Sequence, residues 1–481
     1  MHRPVACLAL LALACSNAPR RANTVILASG ADLQSANPLL TTHSLARQVQ
    51  RYALLVTLVR YDSTLTPIPY LARAWTWSPD SATITLRIFS GLFWHDGAPT
   101  TARDAAWTLE AARDPVTGYP RQNDLSGLVS ATAPDDSTLV LQFSGPVPRL
   151  PDVLTDLGVL PSHLLDTVPR AELRRATWNQ SPVGNGPFRF VAHEANRRWI
   201  FAANPGFPAA LGGPPRLERF VVAVVDEPTT KLAALTSGEL DLAGINPAHA
   251  EFVRRNPKLR VLDYPLLYSY TLLFNTRRPP FDDLAVRRAL DQAIDRRAIV
   301  DGVLFGFGTP ATSPVPPPLE NRKTGGREDG KTGGREDGKS DSLRDRGLQF
   351  EMLTVGSGEA ALEQMLQSQL AGIGVRVVIR QLELSTYLER VERPPHDFDA
   401  AVMGISGDLA LGHLARIVAL AGLRPDGGGE RLVDQIRDSV PVAFLYHARG
   451  VQGINRRVQG IRMDLRGELV TLSQWWVEEK P

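Results

Sequence analysis

Cysteine is nearly missing from this 481-residue chain: Cys7 and Cys15 lie close to the start and none follows them. That excludes a disulfide framework, a cysteine-based zinc cluster and a thiol nucleophile from the body of the protein. No HExxH or GxSxG segment occurs, and the nine histidines fall at no metal-ligand spacing, so the common zinc-hydrolase and serine-hydrolase signatures are absent. No apolar run is long enough to span a bilayer; the longest, Val5 to Ala14, suits the core of an export signal instead. Single-sign charge is missing too. Net charge is +2, with both signs spread along the chain, whereas a nucleic-acid binder concentrates basic charge on one face. Only six of the 53 basic residues are Lys, a bias we read as base composition of the genome. What remains is an ordinary globular composition, 43% apolar, long enough for two to four domains with large cores.

The opening stretch, MHRPVACLALLALACSNAPRRANT, has a basic start, a short apolar run and a polar spacer. Ala12-Leu13-Ala14-Cys15 resembles a bacterial lipobox, which would make residues 1–15 a signal peptide ending in a lipidated Cys15 and residues 16–23 a tether. The other reading is an ordinary secretory signal cut near Ala14 or Ala18. Both export the protein.

Strand and helix patterns alternate along the rest. TVILASG (24–30), ATITLRIF (82–89), STLVLQF (137–143), two strands within 187–204, and LLYSYTLLFNT (266–276) have strand character. Residues 45–59, 227–238, 282–304 and 362–374 have helical periodicity, the second and last stopped by Gly238 and Gly374. This alternation implies an α/β chain. KTGGREDG at 323–330 repeats at 331–338. With no apolar side chain it cannot bury a face, so residues 323–339 are expected to form a flexible loop.

His95 and Asp96 in FWHDGAPTTARDAAW are adjacent and could form half of a catalytic pair. Local chemistry accounts for them more simply. Asp96-Gly97 is a turn pair, and Thr101 with Asp104 has the spacing of a capping box.

The same stretch carries a resemblance. Pro69, Leu71-Ala72, Trp75, Phe93, Asp96-Gly97, Pro99, Thr101-Ala102 and Asp104 follow the N-terminal signature of the extracellular solute-binding proteins of family 5, the oligopeptide-, dipeptide- and nickel-binding components of ABC importers. SPVGNGPFRFV follows in the family's order, with Asn185 and Phe188 replacing its usual Thr and Tyr. LAALTSGELDLA, LLFNTRRPPFDDLAVRRALDQAIDRRAIVDGVL, LQSQLAGIGVRVVIRQLE and DFDAAVMG come next.

The resemblance implies a two-lobed periplasmic-binding-protein-like fold (type II, cluster C) with an extra domain in the first lobe. Residues 24–44, 180–266 and 437–481 would form the first lobe, 45–179 the added domain and 267–436 the second lobe, with LYSYTLLFN crossing at the hinge. The implied function is capture of oligopeptides or dipeptides between the lobes and delivery to a membrane permease. The implied protein is a lipid-anchored monomer at the periplasmic or outer face of the cytoplasmic membrane, with no cofactor, no metal and no catalysis. A buried peptide ammonium needs a carboxylate. In the family that acid follows a Trp by three residues, which here matches Asp408, with Ile405 in the place of the Trp. Asp408 equally suits a loop or a cap for the helix after it. Tyr268, Ser269 and Tyr270 are the second candidates for the cleft, and core packing is the alternative for their rings. Only about thirty residues separate Asp408 from SVPVAFLYHARG, fewer than the family usually has, so the second lobe looks trimmed. A ligand-sensing or degenerate lipoprotein of this fold, a binder of a nickel complex or an oligosaccharide, and a secreted hydrolase with a carboxylate pair are the competing readings.

Overall fold

The computed structural model describes residues 23–478 apart from 42, 148, 318, 320–346, 357, 359, 408–410 and 428. Cys15, Asp408 and the 323–339 repeat therefore lie outside the described residues.

Two long antiparallel strands organise the molecule, Leu259–Phe274 and Val442–Asn455. At about 3.3 Å per residue the first extends roughly 50 Å, far more than one layer of core needs. Among the described residues both belong to one eleven-stranded sheet. On one side, Val442–Asn455 pairs with Leu242–Gly244, and the sheet continues through Thr24–Ser29, Arg219–Val224, Arg198–Ala203 and Phe188–Glu194. On the other side, Leu259–Phe274 pairs with Ala400–Ser406, followed by Gln349–Val355 and Arg376–Leu382 in parallel.

The crossing itself is irregular. Pro265 pairs with Arg449 and Ser269 with His447, so three residues of one strand face a single residue of the other. A bulge of this kind bends a strand pair and raises its twist, and it falls where the two halves of the sheet meet. Apolar side chains gather into separate cores beyond it. One large core includes Val25, Phe188, Trp199, Phe220, Ile454 and Trp475. Two more flank the other half of the sheet: Leu272, Phe274, Phe281, Leu366 and Tyr446 on one face, and Leu273, Tyr387, Ile405, Ile417 and Phe444 on the other.

A four-stranded antiparallel sheet stands apart: Ala72–Trp77, Thr83–Ile88, Thr138–Phe143 and Leu128–Asp135. The helix Ala102–Arg113 covers it, capped as its sequence predicts: the Thr101 N–H donates to Asp104 Oδ2 at 2.8 Å, and Thr101 Oγ1 accepts from the Arg103 N–H.

Two segments differ from the sequence expectation. The 45–59 helix is shorter, Ser44–Val49 closing in a wider turn over Gln50–Leu54. The 282–304 helix is two helices, Leu284–Ala293 and Arg296–Val303, because Ile294 takes extended backbone and Asp295 Oδ1 accepts from Ala298 N to start a new turn.

Candidate ligand-binding cleft

The His95-Asp96 pair does not form a dyad. The His95 N–H donates to Gly184 O at 2.7 Å, and its Nε2 is 3.0 Å from Gly186 O. Burial pulls the ring down to about 4, against the opposing Gly186 bond, so the imidazole is neutral. Asp96 instead meets His163 Nε2 at 2.8 Å. The FWHDG turn thus docks onto the GNGP turn. There the N–H groups of Asn185 and Gly186 donate to Leu54 O, and Asn185 Oδ1 accepts from Val56 N at 3.0 Å. Two conspicuous sequence motifs are one structural joint.

The bulged crossing holds the other candidates. Strand alternation sends Tyr268 and Tyr270 to one face and Ser269 to the opposite one. Tyr270 stacks on Tyr446 with ring centroids 4.9 Å apart, and Tyr268 meets Tyr270 edge-on at 5.5 Å. Tyr268 lies across Gly404, where even a methyl group would collide with its ring. Ser269 is buried and its Oγ is 2.8 Å from His447 Nδ1. Burial lowers His447 to about 4, with a hydrogen bond to the Ser313 backbone working against it. The structure therefore brings Tyr268 and Tyr270 together and assigns Ser269 to the pairing of the two crossing strands.

The tyrosines stand near the carboxyl ends of the parallel strands Gln349–Val355 and Ala400–Ser406, the edge at which open α/β sheets bind ligands. Two residues that sequence reasoning missed share this region. Tyr446 backs Tyr270. Glu363, in the first turn of the helix Ala361–Ala371, is 8% exposed and accepts a hydrogen bond from Thr354 Oγ1 at 2.6 Å. Burial raises the Tyr446 hydroxyl far above its usual range, and the nearby Tyr270, Glu363 and Tyr268 raise it further.

The opposite face of the sheet is covered by another part of the chain. Leu65, at the turn between Val59–Tyr61 and Pro67–Pro69, is buried in the core of Leu273 and Ile405, with Tyr61 and Leu465 packed beside it. Arg466 Nη1 donates to Tyr61 O at 3.0 Å, and Arg51 Nη2 donates to Arg466 O at 2.5 Å. Behind them Arg47, Arg51 and Arg121 converge on Asp156. Burial alone would raise that carboxyl; the three guanidiniums outweigh it and hold the group well below the carboxylate range.

Among the described residues no group of three or more His, Cys, Asp or Glu could hold a metal ion, and no helix is long and apolar enough to cross a membrane.

Comparison with known proteins agrees with this geometry. The family model of the bacterial extracellular solute-binding proteins, family 5 (middle region), matches residues 66–413. A Brucella ovis protein named for ABC-transporter peptide binding is 32% identical over 277 residues, covering 57% of this chain and 51% of that one. The chain thus spans about half the length of that relative. The di/tripeptide-binding protein 2 of Pseudomonas aeruginosa is 26% identical over 419 residues, covering 81% of this chain and 78% of its own. The oligopeptide-binding protein AppA of Bacillus subtilis, solved with a nonapeptide, superposes with a TM-score of 0.74 at 21% identity, over 95% of this chain and 99% of that one. At that identity the likeness establishes the fold: two-lobed, α/β, of the periplasmic-binding-protein kind. With a match across residues 66–413, the chain belongs to the bacterial extracellular solute-binding proteins of family 5.

Proposed function

We propose that the chain is the capture component of an ABC importer, closing its lobes around a peptide and delivering it to a membrane permease. The observation that carries this reading is the double crossing: two long strands run through both halves of the sheet and are bulged between them, a hinge by which two rigid cores can close on a guest. Extended peptides suit such a cleft because backbone hydrogen bonds give affinity without demanding a particular side chain. The relatives named for peptide binding support the choice of ligand.

Residues 24–44, 180–266 and 437–481 serve as the first lobe, 45–179 as its added domain and 267–436 as the second lobe. Tyr268 and Tyr270 line the cleft, Ser269 supports the hinge, and Asp408 pairs with the peptide ammonium. The protein works as a monomer, performs no chemistry on its guest, and is held at the outer face of the membrane by an acyl chain on Cys15. Native mass spectrometry of the protein purified from its own cells tests this. A bound mass series matching short peptides is expected; a ligand-free protein that retains none of a mixed di- to nonapeptide pool overturns it. Asp408→Asn should weaken peptide affinity, and unchanged affinity removes Asp408 from the site.

A further inference from the structure

Several deeply placed acids among the described residues meet a cation or several donors. Asp241 pairs with Arg457, whose Nε is 2.8 Å away. Asp104 accepts from Trp94 Nε1, from the N–H of Thr101, and from both the N–H and hydroxyl of Ser162. Asp156 has three guanidiniums. Glu363 is as deeply placed, 8% exposed, yet among the described residues its one hydrogen bond comes from Thr354 and no cation pairs with it. Its place in the first helical turn sets it near the positive end of the helix dipole but supplies no counter-ion. A buried carboxylate without a counter-charge is costly unless something completes it.

The surroundings indicate what completes it. Tyr268, Tyr270 and Tyr446 form a stacked and edge-on group, and Tyr268 and Tyr270 remain half-buried rather than sealed. Tyrosine faces carry negative quadrupoles that attract organic cations. Gly404 leaves room for the Tyr268 ring over its strand. Glu363 lies close enough to Tyr446 to act on its hydroxyl, and Tyr446 stacks on Tyr270, so acid and rings share one electrostatic sign near the ligand-binding edge of the sheet.

We propose that Glu363, with the rings of Tyr268, Tyr270 and Tyr446, forms a subsite for an organic cation, an alkylammonium carried by the ligand. This rests on the cleft reading above, and it selects among peptides: those presenting a basic group to the second lobe bind preferentially.

Calorimetric titration of the full mature protein tests it in two arms. The first arm uses n-butylammonium with n-butanol as the uncharged control, and needs no peptide. Wild type should bind the cation and not the alcohol. Glu363→Gln, which keeps the Thr354 hydrogen bond, should weaken the cation at least about tenfold. Tyr268→Leu should weaken it more than Tyr268→Phe does, because Phe keeps the ring face. Glu363→Asp, which keeps the charge, should recover part of the loss, so that binding follows charge rather than fold. The second arm compares Ala-Lys-Ala with Ala-Ala-Ala, and the preference for the first should vanish in Glu363→Gln. Equal affinity of wild type and Glu363→Gln for n-butylammonium, or no binding by wild type, overturns the subsite even where Ala-Ala-Ala still binds. Charge-dependent binding of the cation with no binding of either tripeptide keeps the subsite and overturns the peptide reading.

Discussion

Gly186→Ala should be among the most damaging small substitutions in the protein. A methyl group on Gly186 would come within 2.6 Å of the Leu54 carbonyl carbon and closer still to Ala53 O. Both neighbours are backbone in the turn Gln50–Leu54, so no side chain can swing aside. Overpacking of this kind costs typically 1–3 kcal/mol, and here the backbone must separate. Separation strains three buried hydrogen bonds: Asn185 N and Gly186 N to Leu54 O, and Val56 N to Asn185 Oδ1. At about 1 kcal/mol each, added to the overpacking, the combined loss is about 4–6 kcal/mol. Gly145→Ala is the matched control, since a methyl group there meets nothing within 4 Å; it should change stability by less than about 0.5 kcal/mol. Urea denaturation of both variants, followed by tryptophan fluorescence, measures the difference. If Gly186→Ala unfolds at the same urea concentration as Gly145→Ala, the close approach is wrong and the GNGP turn does not anchor the segment around Leu54.

Other outcomes follow from the same geometry. Asp156→Ala takes the carboxylate from Arg47 and Arg51, while Arg121 keeps Asp124, and should cost about 3–5 kcal/mol, read by calorimetry. Because the folded Asp156 pKa is depressed, its contribution is present above the unfolded value of about 3.9 and is lost only as pH falls below it. His95 and His447, both held down to about 4 by burial, act in a higher window. The unfolded chain takes protons on these rings from about pH 6.5 while the folded one resists, so stability falls between about 6.5 and 4. His447→Gln should flatten that slope in urea melts taken across the range; an unchanged slope removes His447 as its source. Leu65→Asn suits the left-handed backbone at this position, φ 62°, but deletes an apolar contact with the core of Leu273 and Ile405. It should widen the ligand-free particle in solution scattering, and an unaltered curve denies the contact its role in closure. Cys15→Ser should move the protein from the membrane to the soluble fraction, and continued membrane association refutes the lipid anchor.

Much of this was readable from residue order because it depends on local chemistry. The Thr101/Asp104 cap, the Gly238 stop and the alternating strands at 83–88 and 138–143 each follow from neighbours a few positions away. The misreadings share a physical cause. Leu259–Phe274 starts well before the apolar segment that begins at 266, because Pro265 stands beside the bulge, still opposite Arg449. The 282–304 pattern stays helical through Ile294; only the capping by Asp295 reveals the break. Glu363 was unreadable for a different reason. An acid in the first turn of an amphipathic helix looks like an ordinary dipole partner, and its burial depends on Thr354 and Tyr446, the second brought in by a strand more than eighty residues away. The FWHDG and GNGP motifs, both part of the family pattern, proved to be one joint.

Small-angle scattering of the mature protein, recorded alone and with a saturating di- to nonapeptide pool, tests the central claim most directly. Closure of two cores about the bulged strands predicts a smaller radius of gyration with the pool, reversed when the peptides are dialysed away. Superimposable curves, with no peptide retained after gel filtration, would contradict it.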